Sequence, residues 1–367
     1  MKIKSIKTHV LRVPVALPIT DAYFSHKARN HVFVEVSTEE GITGLGEAGQ
    51  YFGVSAIPPL IKEAFEPYLI GQDPHEVGKL WDTIYRRSML YGRKGTTIIA
   101  LSAVELALWD IIGKSVRQPL HKLLGGKHVD RVRAYASGGF YKPDADLVNE
   151  MKTFVESGFG TVKMKVGFDP TDDARRVKLV RKEVGSDIEL AIDANMGYLP
   201  RVASEVAWEL EPQDIAWFEE PVSADDVDGM LEVRNNCGIR IAAGENEYTE
   251  YGFTEMIDKR AADIIQADVT RCGGVSQAKE IAKMAARKGL LFAPHVFGSI
   301  VGLVATTHLI ASVPNGYILE FDQTDDPLRD ALIDQYLKLE NGHVTVPERS
   351  GIGVEIPEKI LRKYSTH

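Results

Sequence analysis

Seven residues able to act as acid, base or ligand recur along this chain at nearly constant spacing. They are Lys165, Asp193, Glu219, Glu245, Asp268, His295 and Glu320, at intervals of 28, 26, 26, 23, 27 and 25 residues. Each stands at or near the C-terminal end of a short apolar run. If consecutive runs are neighbouring strands, the carboxylates of Asp193, Glu219 and Glu245 converge. Three like charges held close force at least one to protonate unless a cation sits among them. An all-oxygen set without thiolate or imidazole favours a hard ion, Mg²⁺ first and Mn²⁺ as its substitute, and disfavours zinc. The competing reading is a salt-bridged rim, for which Lys163 and Lys165 supply the bases.

Those two lysines are two residues apart, hence on one face of a strand, pointing inward where an unpaired ammonium is costly. Each disfavours the protonated form of the other, and desolvation acts the same way. Lys165 is therefore expected to lose its proton near neutral pH and serve as a base, with Lys163 beside it to hold a substrate oxygen. Asp268 and His295 end adjacent runs. A carboxylate on one ring nitrogen fixes the tautomer and makes the histidine an acid or base at neutral pH. Glu320 is expected as a protonated carboxyl donating to a developing oxyanion. Together these groups describe abstraction of a proton α to a carboxylate, with Lys165 and His295 addressing opposite faces of the substrate.

Strands must carry these residues to one place. From about residue 130, eight apolar runs of strand length (132–138, 161–166, 188–195, 215–221, 239–245, 262–268, 289–295 and 316–322) alternate with amphipathic stretches of helical period such as 171–184 and 275–287. Eight such units in series predict a parallel barrel, which carries its active site at the C-terminal rim of its strands. A doubly wound open sheet would want a Gly-rich phosphate turn after its first strand, and none is present. The first 120 or so residues read instead as an α+β unit: strands over 1–13 and 31–38, a turn at Glu39-Glu40-Gly41 into a third, then helices over 54–69, 75–90 and 95–114. The expected division is a capping domain over 1–124, a barrel over 125–325 and a tail over 326–367. That tail holds a helix at 327–335 and apolar runs at 342–356 that return to the cap.

Composition agrees with small-molecule chemistry. Of 367 residues 44% are hydrophobic and 26% charged, and the net charge of −9 leaves no basic patch for nucleic acid. Two cysteines, Cys237 and Cys272, are too few for a disulfide framework and point to a reducing, cytoplasmic setting. The N-terminus lacks the apolar core of a signal peptide, and no run reaches the roughly 18 apolar residues of a membrane span.

The motifs in order resemble the enolase superfamily, mandelate racemase subgroup, over nearly the full length. Lys163-Met-Lys165 resembles its Lys-x-Lys motif; Asp193-Ala-Asn195, Trp217-Phe-Glu-Glu-Pro221 and Gly244-Glu-Asn246 resemble its three metal-ligand motifs; and Asp268 and His295 resemble its dyad. The resemblance implies an α/β fold, a (β/α)7β TIM-like barrel with an α+β capping domain formed by both chain ends. It implies one Mg²⁺ held by Asp193, Glu219 (not Glu220) and Glu245, with Asn195 against the substrate, and a homo-oligomer, commonly an octamer. Specificity would come from two cap loops, about 17–30 with Tyr23, His26, Lys27 and Arg29, and 50–57 with Tyr51 and Phe52. The stretch 319–329 resembles the acid-sugar branch, although Asp326 stands where relatives often place Asn. The implied reaction is proton loss from an acid sugar or its lactone followed by departure of a β-oxygen, as in dehydratases and lactone or anhydrosugar-acid cycloisomerases. A racemase or epimerase using Lys165 and His295, and a catalytically idle sugar-acid binder, are the alternatives.

Overall fold

A computed structural model describes residues 1–366. Three antiparallel strands open the chain in the order β1 (Ile3–Thr20), β2 (Ser25–Thr38) and β3 (Thr43–Ala48). The segment expected to be a loop at 17–30 is mostly strand. β1 and β2 resume pairing beyond an irregularity between Pro14 and Ile19, and the hairpin turns only at Asp21–Phe24. The helix expected over 54–69 is a chain of short turns including a π segment, Ile61–Phe65. Pro67 follows that segment and cannot supply an N–H to a regular ladder.

Helix Thr96–Val116 is long and apolar enough to cross a membrane, but 89% of its most apolar window is buried in the fold. β3 lies directly on it. A Cβ on Gly44 would come within 2.0 Å of Ala107 O and one on Gly46 within 1.9 Å of Ala103 O, so only glycine admits this backbone approach.

Eight parallel strands form the barrel: β4 (Arg131–Ser137), β5 (Thr161–Lys165), β6 (Glu189–Asp193), β7 (Ile215–Glu219), β8 (Ile241–Ala243), β9 (Ile264–Ile265), β10 (Leu291–Phe292) and β11 (Leu319–Asp322). They pair in sequence order, β11 pairs with β4, and a parallel bridge between Phe292 and Gly316 closes the ring. Seven helices connect them, among them Pro170–Val184, started by Asp169 accepting from Asp172 N at 2.9 Å, and Val275–Arg287. The runs at 262–268 and 289–295 contribute only two-residue ladders, because the chain leaves the sheet before reaching Asp268 and His295.

Tyr135, Ala191, Trp217, Ala293 and Ile318 fill the barrel interior. Two residues further along the chain from each stand Ser137, Asp193, Glu219, His295 and Glu320. The two-residue period of a strand thus lays an apolar layer beneath a polar one.

Cap and barrel are tied together at several points. Glu47 accepts from Ser299 N and Gly302 N at the start of helix Ile300–Ala311, at 2.7 and 2.9 Å. His31 bridges Glu47, at 3.3 Å, and Asp326, at 3.2 Å. The tail divides its contacts. β12 (Leu339–Glu340) and β13 (His343–Thr345) form a hairpin whose second strand pairs antiparallel with β4 of the barrel, not with the cap. Ile352 N donates to Asp110 of helix Thr96–Val116 at 2.8 Å, and Ser365 bridges to Leu11 of β1. The helix expected at 327–335 is two single turns, Pro327–Asp330 and Ile333–Tyr336.

Candidate active site

The strand register sets Lys165 beside Asp193, and Asp193 beside Glu219. Glu245 follows β8 on the next strand, and one carboxylate oxygen from each of Asp193, Glu219 and Glu245 lies within 4.8 Å of the others. All three are buried, and Glu245 Oε2 has no hydrogen-bond partner. An orphaned buried carboxylate oxygen beside two further carboxylates is a donor set that fits a hard divalent ion.

The lysines reach the same carboxylates. Lys163 Nζ lies 2.6 Å from Glu219, 2.9 Å from Glu320 and 3.5 Å from Asp193, and Lys165 Nζ lies 2.5 Å from Asp193. Without a cation the rim is therefore salt-bridged, the competing arrangement raised from sequence. Burial raises the Glu219 carboxyl, Asp193 adds to it, and the pKa reaches about 8 despite Lys163. Asp193 is held low: burial opposes its charge, but Lys165 and Lys163 outweigh burial. Asp193 and Glu219 are thus pushed in opposite directions, as coupled like charges are.

The neighbouring charges in this arrangement run against two ionisation expectations. Burial pulls the Lys165 ammonium down and Lys163 adds to it, but Asp193, with Glu245 and Glu219, together outweigh them, so its pKa lies above the ordinary lysine value and the free amine is not favoured. Repulsion by Lys163 was the sequence argument for a base, and the carboxylates outweigh it. Burial likewise raises Glu320, but Lys163 and His295 hold it at about 2, which favours the carboxylate over the protonated donor. Its Oε2 accepts from Val296 N at 2.8 Å.

Asp268 and His295 meet as expected, Oδ2 to Nδ1 at 2.8 Å, while Asp268 Oδ1 accepts from Thr270 N and Oγ1 at 2.7 and 2.6 Å. His295 Nε2 faces Glu245 at 3.6 Å. Burial lowers the imidazolium, but Glu245, Glu320 and Asp268 together raise it to about 10.

Lys165, His295, Glu245, Glu320 and Asn195 line one cleft under the cap. Asn195 N donates to Asp193 Oδ1 at 2.9 Å, with its own Oδ1 buried and unpartnered. Asn195 and Met196 both take left-handed backbone, φ 43° and 66°; for methionine this is a strained choice, localised where the chain turns over the site.

Of the cap residues expected to meet substrate, Tyr23, His26, Tyr51 and Phe52 line the cleft. Lys27 and Arg29 do not. Strand alternation turns Lys27 to solvent while His26 and Ala28 face inward. Arg29 is buried, paired with Asp322 and Thr324, donates to Asp325 O at 3.1 Å, and lies 4.0 Å over the Phe297 ring. Its Nη1 is buried without a partner.

Sequence reasoning missed Arg271 and Asp21. Arg271 Nε donates to Glu245 O at 3.0 Å, Nη1 to Gly49 O at 2.8 Å and Nη2 to Asn246 Oδ1 at 3.1 Å, with the Tyr51 ring 5.0 Å away. It ties a triad residue to the start of the cap's second loop, and its place three residues after Asp268 was the available signal.

Comparisons with known proteins agree with this architecture. Residues 5–125 match the mandelate racemase / muconate lactonizing enzyme N-terminal domain, and residues 146–360 match the enolase C-terminal domain-like family. The chain is 35% identical to a D-galactarolactone cycloisomerase of Agrobacterium fabrum, over 99% of both chains. It is also 35% identical to an arabinonate dehydratase of Saccharolobus solfataricus, over 91% of this chain and 90% of that one. Among solved structures, a 3,6-anhydro-D-galactonate cycloisomerase from Zobellia galactanivorans superposes with a TM-score of 0.91 at 35% identity, covering 100% of both chains. A racemase from Streptomyces coelicolor with bound magnesium superposes with a TM-score of 0.90 at 30% identity, over 99% of this chain and 100% of that one.

Proposed function

Because the chain belongs to the mandelate racemase / muconate lactonizing enzyme family of the enolase superfamily, we propose that it is an acid-sugar dehydratase or sugar-lactone cycloisomerase. It removes the proton α to a carboxylate, and a β-oxygen then departs. The observation that carries this reading is the placing of Lys165 and His295 in one cleft beside a buried carboxylate triad, on strands near opposite sides of the ring.

Asp193, Glu219 and Glu245 would hold Mg²⁺. When bound, the ion supplies divalent positive charge against the negative charge that builds on the substrate carboxylate, and acts against the protonated forms of the nearby Lys165 and His295. Lys165 Nζ and His295 Nε2 are the two groups that carry protons, one to each face of the α-carbon. Asp268 holds the His295 ring so that Nε2 faces the cleft. Lys163 offers its ammonium to a substrate oxygen, and Glu320, accepting from Val296 N, keeps Lys163 and His295 in place. The cap covers the site and keeps bulk water from the reacting carbon.

The test is incubation with Mg²⁺ and a panel of sugar acids and lactones in D₂O, following 2-keto acid formation and α-deuteration by NMR. Keto acid formation that disappears in Lys165→Ala or His295→Ala is expected. If every substrate that exchanges its α-proton merely inverts at that carbon, the enzyme is a racemase or epimerase. Exchange that persists in both variants assigns the chemistry to other residues and overturns the reading.

A further inference from the structure

The cap's end of the cleft differs in character from the triad's end. Tyr23, Phe24 and Phe52 stand 60, 51 and 49% exposed around it, an unusual concentration of aromatic surface. The Phe24 and Phe52 rings are 5.0 Å apart, and Phe52 stacks on His26 at 4.8 Å with 24° between planes. Phe297 lies 6.2 Å from His26 and completes the wall. Such faces suit the contiguous C–H surface of a ring. An open polyol tail would instead bring a hydroxyl on every carbon to surfaces that offer few partners.

Charge at this end points the same way. Asp21 lines it, with Oδ1 accepting from Tyr23 N and Phe24 N at 2.8 Å each and Oδ2 3.9 Å from His26 Nε2. Burial lowers the His26 pKa, with Arg29 and Lys165 acting with burial and Asp21 against it, which favours the uncharged ring. Lys27 faces solvent, Arg29 is paired with Asp322, and Arg271 is engaged by Gly49, Glu245 and Asn246. A second carboxylate brought here would face Asp21.

Resting on the function proposed above, we infer that the substrate is a sugar monocarboxylate whose far end is an uncharged ring, an anhydro bridge or a lactone, and whose departing β-oxygen belongs to that ring. The α C–H bond breaks, its proton passes to the base, and its electron pair forms the enolate. That pair then makes the α–β double bond as the β C–O bond breaks. The oxygen stays attached through the remainder of the ring, so no water is released. From an anhydro ring the freed alkoxide takes up a proton equivalent to the one abstracted; from a lactone the freed carboxylate stays ionised and that proton goes to solvent. Tautomerisation gives a 2-keto-3-deoxy acid isomeric with the substrate. Asp21 and Phe52 are the specificity-determining residues.

The experiment compares kcat/KM of the Mg²⁺-supplemented enzyme on four compounds of matched configuration: an anhydro-aldonate, an aldarate monolactone, the open-chain aldonate and the open-chain aldarate. The ring monocarboxylates should exceed the open-chain diacid by about a hundredfold, with products of unchanged mass. Asp21→Asn keeps the acceptor that holds the hairpin tip and should narrow that gap about tenfold by improving the diacid. Phe52→Ala should raise KM for the ring compounds about tenfold with kcat little changed. A diacid handled as well as the ring compounds, or a gap unmoved in Asp21→Asn, overturns the inference and leaves the proposed function standing. Absence of α-proton exchange with all four overturns both.

Discussion

Replacing His31 by glutamine should remove a pH-dependent part of this protein's stability and leave the rest. The imidazole is buried at the junction of cap and barrel, between Glu47 of β3 and Asp326 of the loop after β11. Burial lowers its pKa, but Asp326 and Glu47 outweigh burial and raise it from 6.5 to about 9. The folded state therefore binds this proton more tightly than the unfolded chain does. The resulting stability is complete below pH 6.5, declines as pH rises, and is gone above about 9. At about 1.4 kcal/mol per tenfold in proton affinity, the difference has a ceiling of about 3 kcal/mol. Urea unfolding of wild type and His31→Gln at pH 6, 7.5 and 9.5 isolates it, because the other titrating groups are common to both proteins. The gap between the two should shrink by about 2–3 kcal/mol from the lowest to the highest pH. A gap that stays constant would show that His31 is not a charged bridge.

Glu245→Gln should weaken Mg²⁺ binding at least about tenfold by calorimetry in the absence of any substrate, since it replaces an anionic ligand by a neutral one; unchanged affinity would remove Glu245 from the ligand set. Arg271→Met should lower kcat/KM about ten- to a hundredfold and increase proteolysis within 50–57, with Arg271→Lys restoring little of either because one ammonium cannot reach carbonyls in several directions. Gly46→Ala should cost more than about 3 kcal/mol or prevent folding, because its Cβ would lie 1.9 Å from Ala103 O, whereas Gly78→Ala, with nothing within 4 Å, should be tolerated.

Positions were legible in the sequence where one geometric unit repeats. A strand, a helix and two short loops use nearly the same number of residues each time, so a polar residue recurring at that interval marks one rim, and Lys165, Asp193, Glu219, Glu245, His295 and Glu320 meet there. The two-residue offset of Lys163 from Lys165 likewise places both inside. Ionisation was not legible, because it depends on distances between strands: Lys165 answers to Asp193 at 2.5 Å more than to Lys163, and Glu320 answers to Lys163 at 2.9 Å. Nor was the facing of Lys27 and Arg29. A loop reading assigns no face, whereas the paired hairpin sends Lys27 out and buries Arg29 against Asp322, a partner 293 residues away. Asp326 gains its meaning only from His31, which no local pattern connects to it.

The tail helix Glu358–Tyr364 is followed at once by Ser365, which bridges to Leu11 and clasps β1. With that clasp at one side and Glu47 holding helix Ile300–Ala311 at another, the cap is tied down at two separate places. The mouth of the cleft is lined by the Asp21–Phe24 tip and by Phe52, away from both ties. A changed side chain at those exposed aromatic tips would reshape the mouth while leaving the ties between cap and barrel untouched.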